Sequence, residues 1–213
     1  MELHFTRPNL LNTVLRDEHG TPVYRIETDG PALQLSERTT IISRFVNVPA
    51  PGSAERVLAD NMSDTDILLN ALEEQPIGQI VWRRLKQSSL KFDGKEVKVN
   101  DFMPLSKTYA KRRTFTAQNG EEYTWVYAED RSRLEKGPPN TTPRFSVVEH
   151  NRRKRGLLGK ESLHPWLRIA KECTLILDEI ILTFVWVERR RSEKEYMDFD
   201  GSVNGMAYSV DNY

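Results

Sequence analysis

The stretch Leu175-Ile176-Leu177-Asp178-Glu179-Ile180-Ile181-Leu182-Thr183-Phe184-Val185-Trp186-Val187 decides how this chain folds. As a helix it would reach about 20 Å, against the roughly 30 Å of oil in a bilayer. With Asp178 and Glu179 inside it, the segment is too short and too charged to span, and it reads as a core element. Propensity leaves its form open. Ile180, Ile181, Thr183, Val185 and Val187 are β-branched and both alternating faces are apolar, which suits a buried strand. Asp178 and Glu179 at the start and Arg189, Arg190 and Arg191 at the end match the sign preferences of a helix dipole. A helix apolar on every side belongs inside something.

Upstream, the chain reads as short strands separated by turn chemistry. Thr13 to Arg16 and Val23 to Thr28 flank the polar, Gly-ended loop Asp17-Glu18-His19-Gly20, as in a hairpin. Asp93-Gly94 is the sharper signal, because these residues take the positive φ angles of a two-residue type I′ turn. That turn sets Leu90 opposite Val97, Lys91 opposite Glu96 and Ser89 opposite Lys98. Counting in the same way from Asn119-Gly120 sets Thr116 opposite Tyr123, Thr114 opposite Trp125 and Arg112 opposite Tyr127. Thr39 to Val48, Ile77 to Lys86 and Arg144 to His150 are further strands by their β-branched and aromatic content. Asp64 to Glu74, with Ile67, Leu68, Ala71 and Leu72 at helical spacing, predicts one short amphipathic helix.

Length and composition bound the rest. At 213 residues, with 38% hydrophobic and 29% charged, the chain can bury a sizeable core as one domain. Lys+Arg 31 against Asp+Glu 31 leaves no net charge, so an electrostatic partner must be met by a local cluster. The single cysteine, Cys173, excludes an intrachain disulfide, and the first residues lack the apolar run of a secretion signal; an intracellular, cytoplasmic protein is expected, with the nucleus open to it. Beyond Arg191 aliphatic residues thin out. The expected division is a domain over 1–195 and a polar, disordered tail over 196–213.

Three stretches resemble a known family when taken together: Asn12-Thr13-Val14-Leu15-Arg16-Asp17 with Gly20 and Val23-Tyr24-Arg25-Ile26; the central hairpins; and Leu177 to Arg189. They are similar to a family of uncharacterised fungal proteins of the tubby C-terminal-like group, which includes tubby, scramblase and LURP-one related domains. The resemblance covers roughly Leu3 to Arg191. It implies a mostly β (β+α) fold, an antiparallel closed β-barrel around a single apolar C-terminal helix, and so favours the helical form of Leu175 to Val187. Such a barrel would also leave few free sheet edges. Some relatives bind phosphoinositides or other anionic lipids, but no lipid-contacting residue carries over by motif.

Chemistry in the residues is sparse. His4, His19, His150 and His164 stand singly, without the close spacing of a metal site, so no metal and no cofactor is expected. No nucleophile elbow, Walker loop or dinucleotide fingerprint occurs. Cys173 with His164 lacks an orienting third group, and Asp198-Phe199-Asp200-Gly201-Ser202 lacks the glycine and glutamate of a calcium loop. Adjacent Asp178 and Glu179 point about 100° apart on a helix, which suits capping better than acid–base catalysis. Trp82, Tyr123, Trp125 and Tyr127 fit a core better than a stacking surface.

Basic clusters remain: Arg83-Arg84 with Lys86, Lys111-Arg112-Arg113, Arg152-Arg153-Lys154-Arg155 and Arg189-Arg190-Arg191. Arg152 to Arg155 is uninterrupted by acid and is the leading anion-binding candidate, with Lys111, Arg112 and Arg113 beside it. The expectation is a non-catalytic module for anionic lipid headgroups or a membrane-surface partner. A protein-interaction scaffold is the first alternative, and a nucleic-acid binder using Arg152 to Arg155 and the aromatic hairpin is the second.

Overall fold

The computed structural model describes residues 1–29, 37–47, 72–83, 87–106, 111–127, 131–137, 145–151 and 165–199, with side chains described to 193. Twelve antiparallel strands make one sheet: β1 Glu2–Phe5, β2 Thr13–Arg16, β3 Pro22–Thr28, β4 Arg38–Asn47, β5 Leu72–Trp82, β6 Ser89–Phe92, β7 Lys95–Lys98, β8 Arg112–Thr116, β9 Glu122–Tyr127, β10 Ser132–Lys136, β11 Ser146–Asn151 and β12 Trp166–Ile169. A four-residue helix, α1 Val99–Phe102, follows β7, and a 3-10 turn over Lys171–Ile176 leads into the long helix α2 Leu177–Phe199.

The sheet order is β7-β6-β5-β4-β3-β2-β1-β12-β11-β10-β9-β8, a meander in which the first and last strands of the chain pair at the centre. Side chains from β1, β3, β4, β5, β8, β9, β10 and β11 all reach α2: Phe5, Tyr24, Arg44, the Gly78 backbone, Arg113, Trp125, Ser132 and His150. A sheet can meet one helix from strands near both of its edges only by curling round it. Ile180 through Val187 are accordingly all buried. Gly78 is where the wrapping is tightest, since a Cβ there would lie 3.1 Å from the Lys91 carbonyl and 3.2 Å from a Leu182 methyl.

The helical reading of the apolar segment holds from Leu177 onward, while Leu175 lies in the 3-10 turn and is 81% exposed. Arg189 to Arg191 do not end the helix, which runs through Phe199, past position 195. Pairs between Arg189 and Glu193 and between Arg190 and Glu193 support that continuation at helical spacing.

Hairpin registers test the turn reading more finely. At Asp93-Gly94 the predicted pairs Leu90↔Val97, Lys91↔Glu96 and Ser89↔Lys98 all occur, with φ of 50° and 70° at the two turn residues. Around Asn119-Gly120 the register is one residue off: Phe115 faces Tyr123, Arg113 faces Trp125 and Thr116 faces Glu122. The loop there is Gln118-Asn119-Gly120, closed by Ala117 N donating to Glu121 O, with Gly120 in the left-handed region at the end of a three-residue turn. That one-residue shift turns Arg113 and Phe115 inward.

The predicted helix at Asp64 to Glu74 also requires correction, because Leu72 to Glu74 open β5; its remaining residues lie outside those described. Strand β5 tolerates Pro76 because the ladder to β4 shifts between Ile42 and Ser43, the usual way a sheet accommodates a missing N–H.

Among the described residues the sheet is not closed into a barrel by hydrogen bonds. The outermost strands β7 and β8 do not pair with each other; the chain from Val99 to Ser106 lies between them. Val99 N donates to Ser88 O on one side, while Ser106 N donates to Arg112 O and Thr114 N to Pro104 O on the other. Aromatic rings complete the join: Phe92 of β6, Phe102 of α1, Phe115 of β8 and Tyr123 of β9 follow one another at centroid separations of 5.1, 5.7 and 5.9 Å. Where a hydrogen-bonded ladder would run, packed rings form a seam.

Phe184 sits at the middle of this arrangement, with the rings of His150, Trp125 and Phe5 at 5.0, 5.9 and 6.1 Å. Phe184→Ala is expected to lower stability by about 3 to 5 kcal/mol in denaturant melts, and a loss under about 1 kcal/mol would place this ring outside the core.

Candidate functional site

The predicted anion-binding residues divide into three groups. Arg113 is buried, at 3% exposure, and faces inward. Its Nη1 donates to Asn100 Oδ1 and Met103 O, each at 2.7 Å, its Nε donates to the Tyr127 hydroxyl at 3.2 Å, and its guanidinium lies 4.8 Å from the Trp186 ring. Such a cation ties β8 to the seam segment and to α2; it is not available to an anion in solvent. Lys111 is exposed and Arg112 half-buried, and both have partners of their own. Arg152 to Arg155 lie outside the described residues, as does His164.

The ends of the strands nevertheless fix where these runs leave the sheet. Arg113, at the start of β8, stacks on Trp186, and His150, near the end of β11, contacts Glu188 two residues further along the helix. Lys111-Arg112 and Asn151 therefore lie at the same rim, beside the middle of α2. Three strand spacings separate them, about 15 Å along the sheet. In the other basic clusters Arg83 bridges Glu37, Ser89 and Glu96, and Arg190 pairs with Glu193 while lying over Trp186; Arg84 and Lys86 lie outside the described residues.

The aromatic hairpin is core. Tyr123, Trp125 and Tyr127 are buried, and the Trp125 indole N–H donates to Thr183 at 2.9 Å. Half-buried Trp82 donates to Thr40. Sequence reasoning missed the seam itself. A helix of four residues carries no readable period, and the only signal was the cluster Phe102, Met103 and Leu105 around Pro104. Beside it opens a cleft of about 380 Å³, lined by Asp101, Phe102, Pro104, Leu105, Ser106, Thr114, Phe115, Thr116 and Glu122.

Titratable groups inside the wrap are bound to structure. Asp178 does not cap its own helix; it accepts from the Tyr24 hydroxyl at 2.6 Å and from Arg44 at 3.0 Å, fastening the helix start to β3 and β4. Burial and then the Asp178 carboxylate hold the Tyr24 phenol protonated well above its ordinary range. Glu179 accepts from Gln118 N at the hairpin tip, and burial raises its carboxyl. Burial, and next the Glu172 charge, push the Cys173 thiol to about 11, leaving it protonated and unreactive at neutral pH. No group of residues able to hold a metal ion occurs among the described residues.

The most demanding of these groups is Glu188, 4% exposed. Ser132 and Arg191 donate to its Oε2 at 2.8 and 2.9 Å, Arg191 also reaches Oε1, and His150 Nδ1 stands 3.4 Å away. Burial alone would raise this carboxyl. The Arg191 hydrogen bonds and the His150 contact outweigh it and bring the pKa from 4.5 to about 2. A depressed carboxylate stabilises the fold above its unfolded pKa and loses that contribution as pH falls toward the folded value. Stability on the order of 3 kcal/mol is thus expected to vanish between about pH 4.5 and 2, and Glu188→Gln is expected to flatten that acid limb of a pH series of denaturant melts. An unchanged limb would show the carboxylate to be unpaired.

No curated protein and no solved structure matches this chain. No helix among the described residues is long and apolar enough to cross a membrane. One family model does match, over residues 8–193, from the strand β2 hairpin through the buried part of α2. With most of its length so covered, the chain belongs to the family described as a family of unknown function (DUF6593).

Proposed function

We propose that the chain is a non-catalytic binding module of the tubby C-terminal-like kind that meets anionic lipid headgroups at the cytoplasmic face of a membrane. The observation that carries this reading is the shared rim. Lys111-Arg112 at the start of β8 and Asn151 at the end of β11, the residue that precedes the run Arg152 to Arg155, lie at the same end of the sheet, three strand spacings apart. Charges brought to one rim act together on a negative surface, each adding about 1 kcal/mol near it.

Two further features favour this over catalysis or base stacking. The helix fills the space inside the sheet, so a ligand must be met from outside. A nucleic-acid reading needs exposed aromatics among its cations, and Tyr123, Trp125 and Tyr127 are buried. Among the described residues the large exposed apolar side chains are Met1, Leu105, Phe145 and Leu175, few for a general scaffold surface.

Sedimentation with phosphatidylserine, phosphoinositide and neutral vesicles tests the proposal, with an oligonucleotide shift assay on the same protein. Binding to the anionic vesicles is expected at low salt and is expected to weaken as salt rises. Replacing Arg152, Arg153, Lys154 and Arg155 by glutamine should weaken it by about two orders of magnitude or more. No binding to anionic vesicles at low salt would overturn the lipid reading, as would tighter binding to the oligonucleotide.

A further inference from the structure

The seam leaves part of one sheet edge open. Tyr127 N donates to Lys111 O at one end of β8, and Ala117 N donates to Glu121 O at the other. Antiparallel alternation then turns the backbone of Lys111, Arg113, Phe115 and Ala117 toward β9, and that of Arg112, Thr114 and Thr116 outward. The seam segment covers only the first part of this outer edge, through Ser106 N to Arg112 O at 2.9 Å and Thr114 N to Pro104 O at 3.4 Å. Beyond Pro104 the chain turns back into α1, so the ladder stops. Thr114 C=O and the N–H and C=O of Thr116 have no backbone partner among the described residues.

These free groups are not blunted as edges commonly are. The opposite edge strand, β7, carries Lys95, Glu96 and Lys98 over only four residues, the charged and short form that deters pairing. The open part of β8 carries threonines and lines the 380 Å³ cleft, where Phe102, Pro104 and Leu105 supply apolar contact over buried Phe115. Leu105 is 40% exposed. The cleft's charges are the exposed carboxylates of Asp101 and Glu122, neither of which has an ion pair among the described residues.

We propose that this seam cleft docks an extended cationic segment of a partner protein, which adds as a strand to the free edge of β8 at Thr114 and Thr116. Main-chain bonds to those residues would supply the pairing, alternate apolar side chains would rest on Phe102 and Leu105, and lysines or arginines would meet Asp101 and Glu122. Charge complementarity selects the occupant. The site adjoins the Lys111-Arg112 end of the basic rim, through Ser106, and takes a ligand of opposite sign.

The test uses fluorescence anisotropy with the whole chain and three labelled synthetic peptides. One alternates lysine and valine, one replaces lysine by glutamate, and one keeps the lysine–valine sequence but is N-methylated along one edge. The lysine peptide is expected to bind, with the glutamate and N-methylated forms weaker by about tenfold or more. Thr116→Pro removes a single edge N–H at a position where an edge strand accepts proline, and the pair Asp101→Asn with Glu122→Gln removes the charges; each is expected to weaken binding of the lysine peptide about fivefold or more. Thermal melts check that the variants fold, and the N-methylated peptide asks the same question of the unaltered protein. Failure of the lysine peptide to bind, or equal binding of its N-methylated form, would overturn the proposal. Concentration-dependent dimers abolished by Thr116→Pro would overturn it in favour of self-association.

Discussion

Everything in this structure follows from a helix that has no wet side. From Ile180 to Val187 each residue is apolar or, as Thr183, bonded within the protein, and water is kept from all of them. Burying one such side chain is worth about 1.5 to 3 kcal/mol, so leaving any face of these two turns exposed would forfeit much of a domain's net stability. One flat sheet covers one face of a helix. Covering every face requires the sheet to curl, and the alternation of inward Leu15, Tyr24, Ile42, Ile80, Leu90, Trp125, Leu134 and Val148 along successive strands provides the lining.

Curling brings β7 and β8 toward each other without making them pair, and the structure deals with that gap by other means. The ring sequence Phe92, Phe102, Phe115 and Tyr123 seals it against water, and Arg113 binds across it to Asn100 and Met103. Several polar groups carried into the interior are paired: Trp125 with Thr183, Tyr24 with Asp178, and Ser132 and Arg191 with Glu188. A buried charge deprived of its partner is far more destabilising than the intact pair is stabilising, so these residues act chiefly to fix one arrangement of helix and sheet. Their perturbed acidities record structure.

How much was legible beforehand depended on how local each signal was. The Asp93-Gly94 hairpin was readable to the residue because its turn geometry is set by two adjacent positions. Asn119-Gly120 looks the same in sequence, yet its glycine closes a three-residue loop, and a shift of one reverses which side of β8 faces in. Arg113 was for that reason taken for a surface cation when it is a core one. The helical form of the apolar segment needed the family resemblance, since β-branched residues speak for a strand and only the enclosing sheet overrides them. Arg189 to Arg191 were misread as a helix end because the pairing of Arg189 and Arg190 with Glu193, one turn on, is a three-dimensional fact. The seam lacked any periodic signal and could emerge only from the topology.

Native-state hydrogen exchange along α2 tests the central claim most directly. If the enclosing sheet is what holds this helix, the amides of Ile180 to Val187 can open only when the sheet does, and their exchange free energies should equal the global unfolding free energy. Exchange of those amides through a smaller, local opening, with the sheet still protected, would contradict the account.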